Sequence, residues 1–129
     1  INFGAFLDDG EEIDAVVSLC RSGTQQIPAG AISHVVRLLD TNPEDNPNLD
    51  FVIDDAARVT LHLRDQGHRV FVHCVAAQSR TPAVAARIGV LEGAPLDDAL
   101  REINAMLPNA KPRSWLTDSV RRLGASAAP

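Results

Sequence analysis

Three short runs of β-branched and aliphatic residues punctuate the chain. They are Asp14 to Leu19 (DAVVSL), His34 to Leu39 (HVVRLL) and Arg69 to His73 (RVFVH). Each is too short for a helix and predicts a buried strand. Asn2 to Phe6 predicts one more strand at a sheet edge. Between the second and third runs the period changes. Val52, Ala56, Val59 and Leu63 recur at helical spacing, predicting a helix from Asp50 to Gln66 that Gly67 stops. A second helix is predicted from Thr81 to Glu92, stopped by Gly93. A third, Leu96 to Met106, sets Leu96, Leu100, Ile103 and Leu107 on one face and ends at Pro108. A fourth starts at Ser114 as N-cap and carries Leu116, Val120 and Leu123.

Strands alternating with helices predict an α/β fold. Its centre is a mostly parallel sheet of about four to five strands, flanked by helices. Ligands of such sheets bind outside the carboxyl ends of the strands. Those ends fall at Cys20, Asp40 and Cys74, so all three residues are expected on one edge.

The third strand runs into the segment with the most chemistry, His73-Cys74-Val75-Ala76-Ala77-Gln78-Ser79-Arg80-Thr81. A thiolate is the reactive form of cysteine, and a helix N-terminus and a nearby cation favour it. The turn from Cys74 to Arg80 offers backbone N–H groups that can curl into an anion-binding nest. The planar guanidinium of Arg80 grips phosphate oxygens two at a time, which a lysine cannot do. Thr81 is expected to cap the helix and to lie within hydrogen-bond reach of the thiolate. Pro82 in the first turn loses no needed N–H. Taken alone, Cys74 would read as a buried core thiol. With Arg80 and Thr81 it reads as a phosphate site.

This order of residues resembles the cysteine-dependent protein tyrosine phosphatases, in their dual-specificity and phosphatase-and-tensin branch. That family carries His-Cys-x5-Arg-Ser/Thr after a central strand, matched here by His73, Cys74, Arg80 and Thr81. The resemblance implies a phosphotyrosine-phosphatase-like fold, catalysis through a cysteinyl-phosphate and no metal or cofactor. It implies phosphate binding by Val75, Ala76, Ala77, Gln78, Ser79 and Arg80, with His73 orienting the cysteine loop. One departure is Ala77, where the family usually has Gly. If that position needs a positive φ, alanine costs about 1 kcal/mol. The departure leaves open a module that binds phosphate without turnover.

A leaving oxygen needs a proton, and a loop carboxyl supplies it. The resemblance puts this acid at the end of the strand before the long helix. Asp40-Thr41-Asn42-Pro43 resembles the Asp-x-Asn-Pro of phosphatase-and-tensin relatives, so Asp40 is the first choice, Asp45 the second and Glu44 the third. Asp50 and Asn48 read as helix caps. Cys20 alone reads as a packed strand-end thiol. The same resemblance implies a reversible Cys20–Cys74 disulfide that would shield the nucleophile. Both readings stay open.

The remaining features bound the biology. At 129 residues, 45% hydrophobic and 22% charged, the chain reads as one soluble domain, 1–123, with 124–129 as a tail or linker. No apolar run matches a membrane span, and no signal peptide opens the chain. Two cysteines make no disulfide scaffold, so a reducing cytoplasm is the default. A net charge of −5 argues against nucleic acid and acidic membranes as partners. Lys111 is the single lysine among twelve Lys and Arg, a bias that suggests a GC-rich bacterial genome. His34, His62 and His68 show no metal spacing. Gln78 is read as touching substrate, Trp115 as packing, and Arg121-Arg122 as a solvated helix end.

The expected substrate is a phosphorylated protein (phosphotyrosine, phosphoserine or phosphothreonine) or a small phosphorylated molecule. The loop interior Val75 to Gln78 has no Lys or Arg, which disfavours highly phosphorylated inositol lipids. The chain has no Tyr and shows no aromatic gate. Asn46 to Phe51 and His73 to Thr81 also resemble domains fused to ADP-ribosylglycohydrolases in bacteria, and the cut-looking ends agree with a fusion. That implies a regulatory or coupled role in ADP-ribose chemistry. A rhodanese-like sulfurtransferase ranks last.

Overall fold

The computed structural model describes residues 1–4, 12–20, 28–39, 41–74, 78–107 and 110–124, and the statements below concern these. Two strands, β2 (Ala15–Ser18) and β4 (Val70–His73), are buried along their whole length. They take the middle of the sheet because they are mostly apolar and their polar residues, Ser18 and His73, pair with each other. β1 (Asn2–Gly4) and β3 (Ile32–Val35) form the edges. The order is β1-β4-β2-β3, and every neighbouring pair is parallel. Four parallel strands therefore match the expected sheet, including the N-terminal edge strand.

Side chains alternate across this sheet. Ala15, Val17 and Leu19, with Val70, Val72 and Cys74, join the main core together with residues of α1 (Leu49–Asp65), α2 (Arg80–Leu91) and α4 (Ser114–Leu123). Val16 and Phe71 pack with Ile13 on the opposite face. Each buried valine contributes roughly 1.5–3 kcal/mol. α2 is the central helix, buried nearly all round, and even Arg87 is only 1% exposed. α3 (Leu96–Met106) packs on α2 at Gly89. A Cβ on Gly89 would stand 2.9 Å from Cβ of Ala99, so the two helices meet where no side chain intervenes.

Several boundaries differ from the expectation. β3 ends at Val35, although the apolar run continues to Leu39. Beyond it the Leu38 carbonyl is taken by Arg80, and Leu39 N and O by the Asn46 side chain, so these groups leave the ladder. On α3 the buried residues are Ala99 and Ile103, with Leu96 and Leu100 only half-buried. Ser114 is the first residue of α4 and Arg113 holds the N-cap position. Asp50 and Asn48 do not cap α1. Asn48 sits at the N-cap position without a side-chain bond. Asp50 instead accepts from Ser119 Oγ at 2.5 Å and from Arg122, joining α1 to α4. Arg122 is thus an ion-pair partner and not merely a solvated helix end. Trp115 packs against the core as expected. The carboxylates of Asp55 and Asp14 lie 3.5 Å from the rings of His34 and His68.

Candidate active site

Cys74 follows β4 directly and is 2% exposed. Thr81, fully buried in the first turn of α2, donates Oγ1–H to its Sγ at 2.9 Å. Thr81 therefore meets the sulfur as expected, but it is not the cap. Ser79 takes the N-cap position, and its Oγ accepts from Arg113 N at 3.0 Å. A residue inside the helix has its hydroxyl free for the sulfur, whereas a capping hydroxyl is spent on backbone.

Arg80 opens α2. Its Nη1 donates to the carbonyls of Leu19 at 3.2 Å and Leu38 at 3.0 Å. Those two carbonyls lie just past the carboxyl ends of β2 and β3, so the guanidinium bridges the strand ends. Its Nε is buried and, among the described residues, has no hydrogen-bond partner. The Nε–Nη2 edge of a guanidinium is a fork that takes two oxygens of a tetrahedral oxyanion side by side. An unpaired buried donor costs on the order of 1–3 kcal/mol, more when charged.

His73 is buried, and its Nε2 shares a 2.7 Å hydrogen bond with Ser18 Oγ. Its ring stacks on Phe71 with centroids 5.5 Å apart. Burial, helped by the positive charge of Arg80, holds its pKa below the ordinary histidine value. A neutral ring tied to Ser18 orients the end of β4, and the His73 carbonyl accepts from Leu19 N at 2.9 Å. Cys20 lies in the same electrostatic neighbourhood. Burial pushes its thiol pKa up, Arg80 pulls it down and Cys74 pushes it up further.

The expected acid, Asp40, lies outside the described residues, as do Val75, Ala76 and Ala77 of the loop. Side-chain bonds hold the residues flanking Asp40. Asn46, nearly buried, accepts from Leu39 N at 2.8 Å and donates to the carbonyls of Leu39 and Asn42. Asn42 caps the 3-10 turn Pro43–Asp45 through Asp45 N. Asp45 is exposed, and its carboxylate accepts from Thr41 Oγ1 at 2.5 Å. Glu44 is exposed on the same turn. Asn46 was not singled out in the sequence, where it passes for one more turn former between two prolines. Equally unforeseen is the segment before α4. Lys111 N donates to the Gln78 carbonyl at 2.7 Å, which docks this segment on the residues leading into α2. Gln78 and Ser79 thus support the loop through this segment. Among the described residues no cluster of three or more His, Cys, Asp or Glu is placed to hold a metal. No helix there is long and apolar enough to cross a membrane.

No family model and no curated protein matches the chain. Solved structures do. Human DUSP28 superposes with a TM-score of 0.73 at 19% identity, covering 85% of this chain and 76% of that one. Tk-PTP in the active form gives 0.70 at 20%, covering 86% and 78%. PTPMT1 in complex with PI(5)P gives 0.70 at 15%, covering 85% and 75%. The fold is that of the dual-specificity phosphatases within the cysteine-dependent protein tyrosine phosphatases, as the His-Cys-x5-Arg-Thr resemblance implied.

Proposed function

We propose that this chain is a cysteine-dependent phosphatase that hydrolyses phosphate monoesters through a cysteinyl-phosphate. One observation carries the reading: Arg80 Nε, on the fork edge of the guanidinium, is buried with no partner among the described residues, and the adjacent Thr81 donates to the Cys74 sulfur. A phosphoryl group held by that edge and by the loop amides is presented to the sulfur.

In this reading Cys74 thiolate attacks phosphorus, and the bond to the ester oxygen breaks as Asp40 gives that oxygen its proton. Water then attacks phosphorus and yields its proton to the Asp40 carboxylate. The phosphorus–sulfur bond breaks, releasing inorganic phosphate and the thiolate. Arg80 and the amides of Val75 to Ser79 hold the equatorial oxygens throughout. His73 and Thr81 position the loop and the sulfur. The substrate is a phosphorylated protein or a small phosphorylated molecule.

The test is phosphate release from an aryl phosphate under reducing conditions, wild type against Cys74→Ser. Turnover that persists in Cys74→Ser overturns the mechanism. Ala77, standing where phosphatases of this type usually carry glycine, favours a second reading, a domain that recognises phosphate without cleaving it. No turnover in wild type, with tungstate still shielding Cys74 from alkylation, would select that reading.

A further inference from the structure

Most cations of the described residues are neutralised within the chain. Arg58, Arg64, Arg69, Arg87, Arg101 and Arg122 each meet a carboxylate. Arg80 meets only carbonyls. Lys111 is exposed and, like the exposed Arg37 and Arg121, meets no carboxylate among the described residues. Its backbone is nevertheless fixed beside the site. Lys111 N–H binds the Gln78 carbonyl at 2.7 Å, and Arg113 N–H, two residues on, binds Ser79 Oγ at 3.0 Å. A rigid backbone on the rim of the phosphate loop therefore carries a flexible four-carbon stem with a mobile ammonium.

The reacting phosphoryl group has its own donors, the guanidinium fork and the loop amides. An ammonium at the rim has nothing left to neutralise there unless the substrate carries more charge. Among the described residues Phe51, in the first turn of α1, is exposed. Phe71 is stacked on His73, and Trp115 is packed on the core. Charge is what the segment docked on Gln78 and Ser79 adds there, in a chain whose net charge is −5. Resting on the phosphatase reading above, we infer that Lys111 is a specificity-determining residue that selects small phosphate monoesters carrying a second phosphate group.

The test is protection of Cys74 from iodoacetamide, read by peptide mass spectrometry, so that binding is measured without turnover. Fructose 6-phosphate and fructose 1,6-bisphosphate are the probes, with tungstate as reference. The bisphosphate should protect at a concentration about fivefold lower than the monophosphate, the scale of one exposed ion pair. Lys111→Met should abolish that advantage and Lys111→Arg should keep it. Arg121→Met, which removes an exposed charge on α4, should also keep it. High salt should shrink it. Equal protection by the two sugars, or an advantage that survives Lys111→Met, overturns the inference. So does an advantage confined to acidic phosphopeptides, which would reassign Lys111 to protein substrates. If neither sugar phosphate nor tungstate protects wild type, the anion site itself fails, and this inference with it.

Discussion

Thr81 Oγ1 lies 2.9 Å from Cys74 Sγ and donates to it, linking the first turn of α2 to the residue that follows β4. Within the proposed mechanism, this bond stabilises sulfur whenever it bears negative charge, both before attack and when it departs from phosphorus. Hydrogen bonds to charged groups are worth about 1.5–3 kcal/mol. Thr81→Ala should lower kcat for an aryl phosphate at least about tenfold, and Thr81→Ser should restore most of it. Steady-state kinetics on the three proteins checks this. An unchanged kcat in Thr81→Ala would remove the bond from the chemistry.

Arg80 uses one nitrogen for two carbonyls and leaves its Nε without a partner. Lysine would keep the charge and lose the fork. Arg80→Lys should reduce kcat by about 10²–10³, the scale of lost oxyanion donors. It should also weaken tungstate protection of Cys74. Retention of both properties would show that charge alone suffices.

Asn46 ties down the segment on either side of Asp40 with three side-chain bonds. Asn46→Ala leaves part-buried backbone groups without their partner and should cost about 1 kcal/mol in stability. It should lower kcat while leaving anion protection of Cys74 intact, because Asn46 bonds only to Leu39 and Asn42 and not to the proposed phosphate loop. Asp40→Asn should depress turnover with anion binding and melting temperature unchanged. Loss of turnover in Asp45→Asn instead would move the acid role to Asp45.

Asp54 receives Arg58 at 2.8 Å and the buried Arg87 at 2.9 Å. Burial pushes its carboxyl pKa up, but these two guanidinium groups outweigh that and hold it below the ordinary carboxylate range. A depressed folded pKa contributes stability above the unfolded value, near 4, which is lost as pH falls through the folded value. Asp54→Asn should therefore destabilise by about 3 kcal/mol at pH 7, since Arg87 is left without its charge partner. The deficit against wild type should shrink below about pH 4. Urea unfolding at both pH values checks the sign.

Cys20 has a thiol pKa raised chiefly by burial. It should react with iodoacetamide more slowly than a free cysteine at neutral pH and catch up only well above pH 9. If it also serves the nucleophile, mild peroxide will give a Cys20–Cys74 crosslink with release of two waters per disulfide. Peptide mapping that finds inactivation without the crosslink leaves Cys20 a packing residue.

The parallel sheet, the four helices and the contact of Thr81 with Cys74 were legible because each rests on local pattern. Valine runs have one burial period, Gly67 and Gly93 stop helices with φ of +91° and +102°, and the Cys-to-Arg spacing is contiguous. Asn46 and Lys111 were not legible. Their roles depend on which backbone group lies opposite, at Leu39 for one and at Gln78 for the other, and local composition carries no record of that. Asp50 misled for the same reason. A carboxylate in a first helical turn ordinarily serves that turn, but here α4 brings Ser119 and Arg122 to it.

The two carbonyls that anchor Arg80 lie 61 and 42 positions earlier in the chain. Because the strands are parallel, neither contact forms through a hairpin, and each waits for a crossover to close. The guanidinium is seated only when β2, β3 and α2 have met, so the proposed anion site exists only in the assembled sheet. Oxyanions that bind the folded form alone will then raise its melting temperature by mass action. A tungstate titration of thermal unfolding would therefore read out the state of the whole sheet.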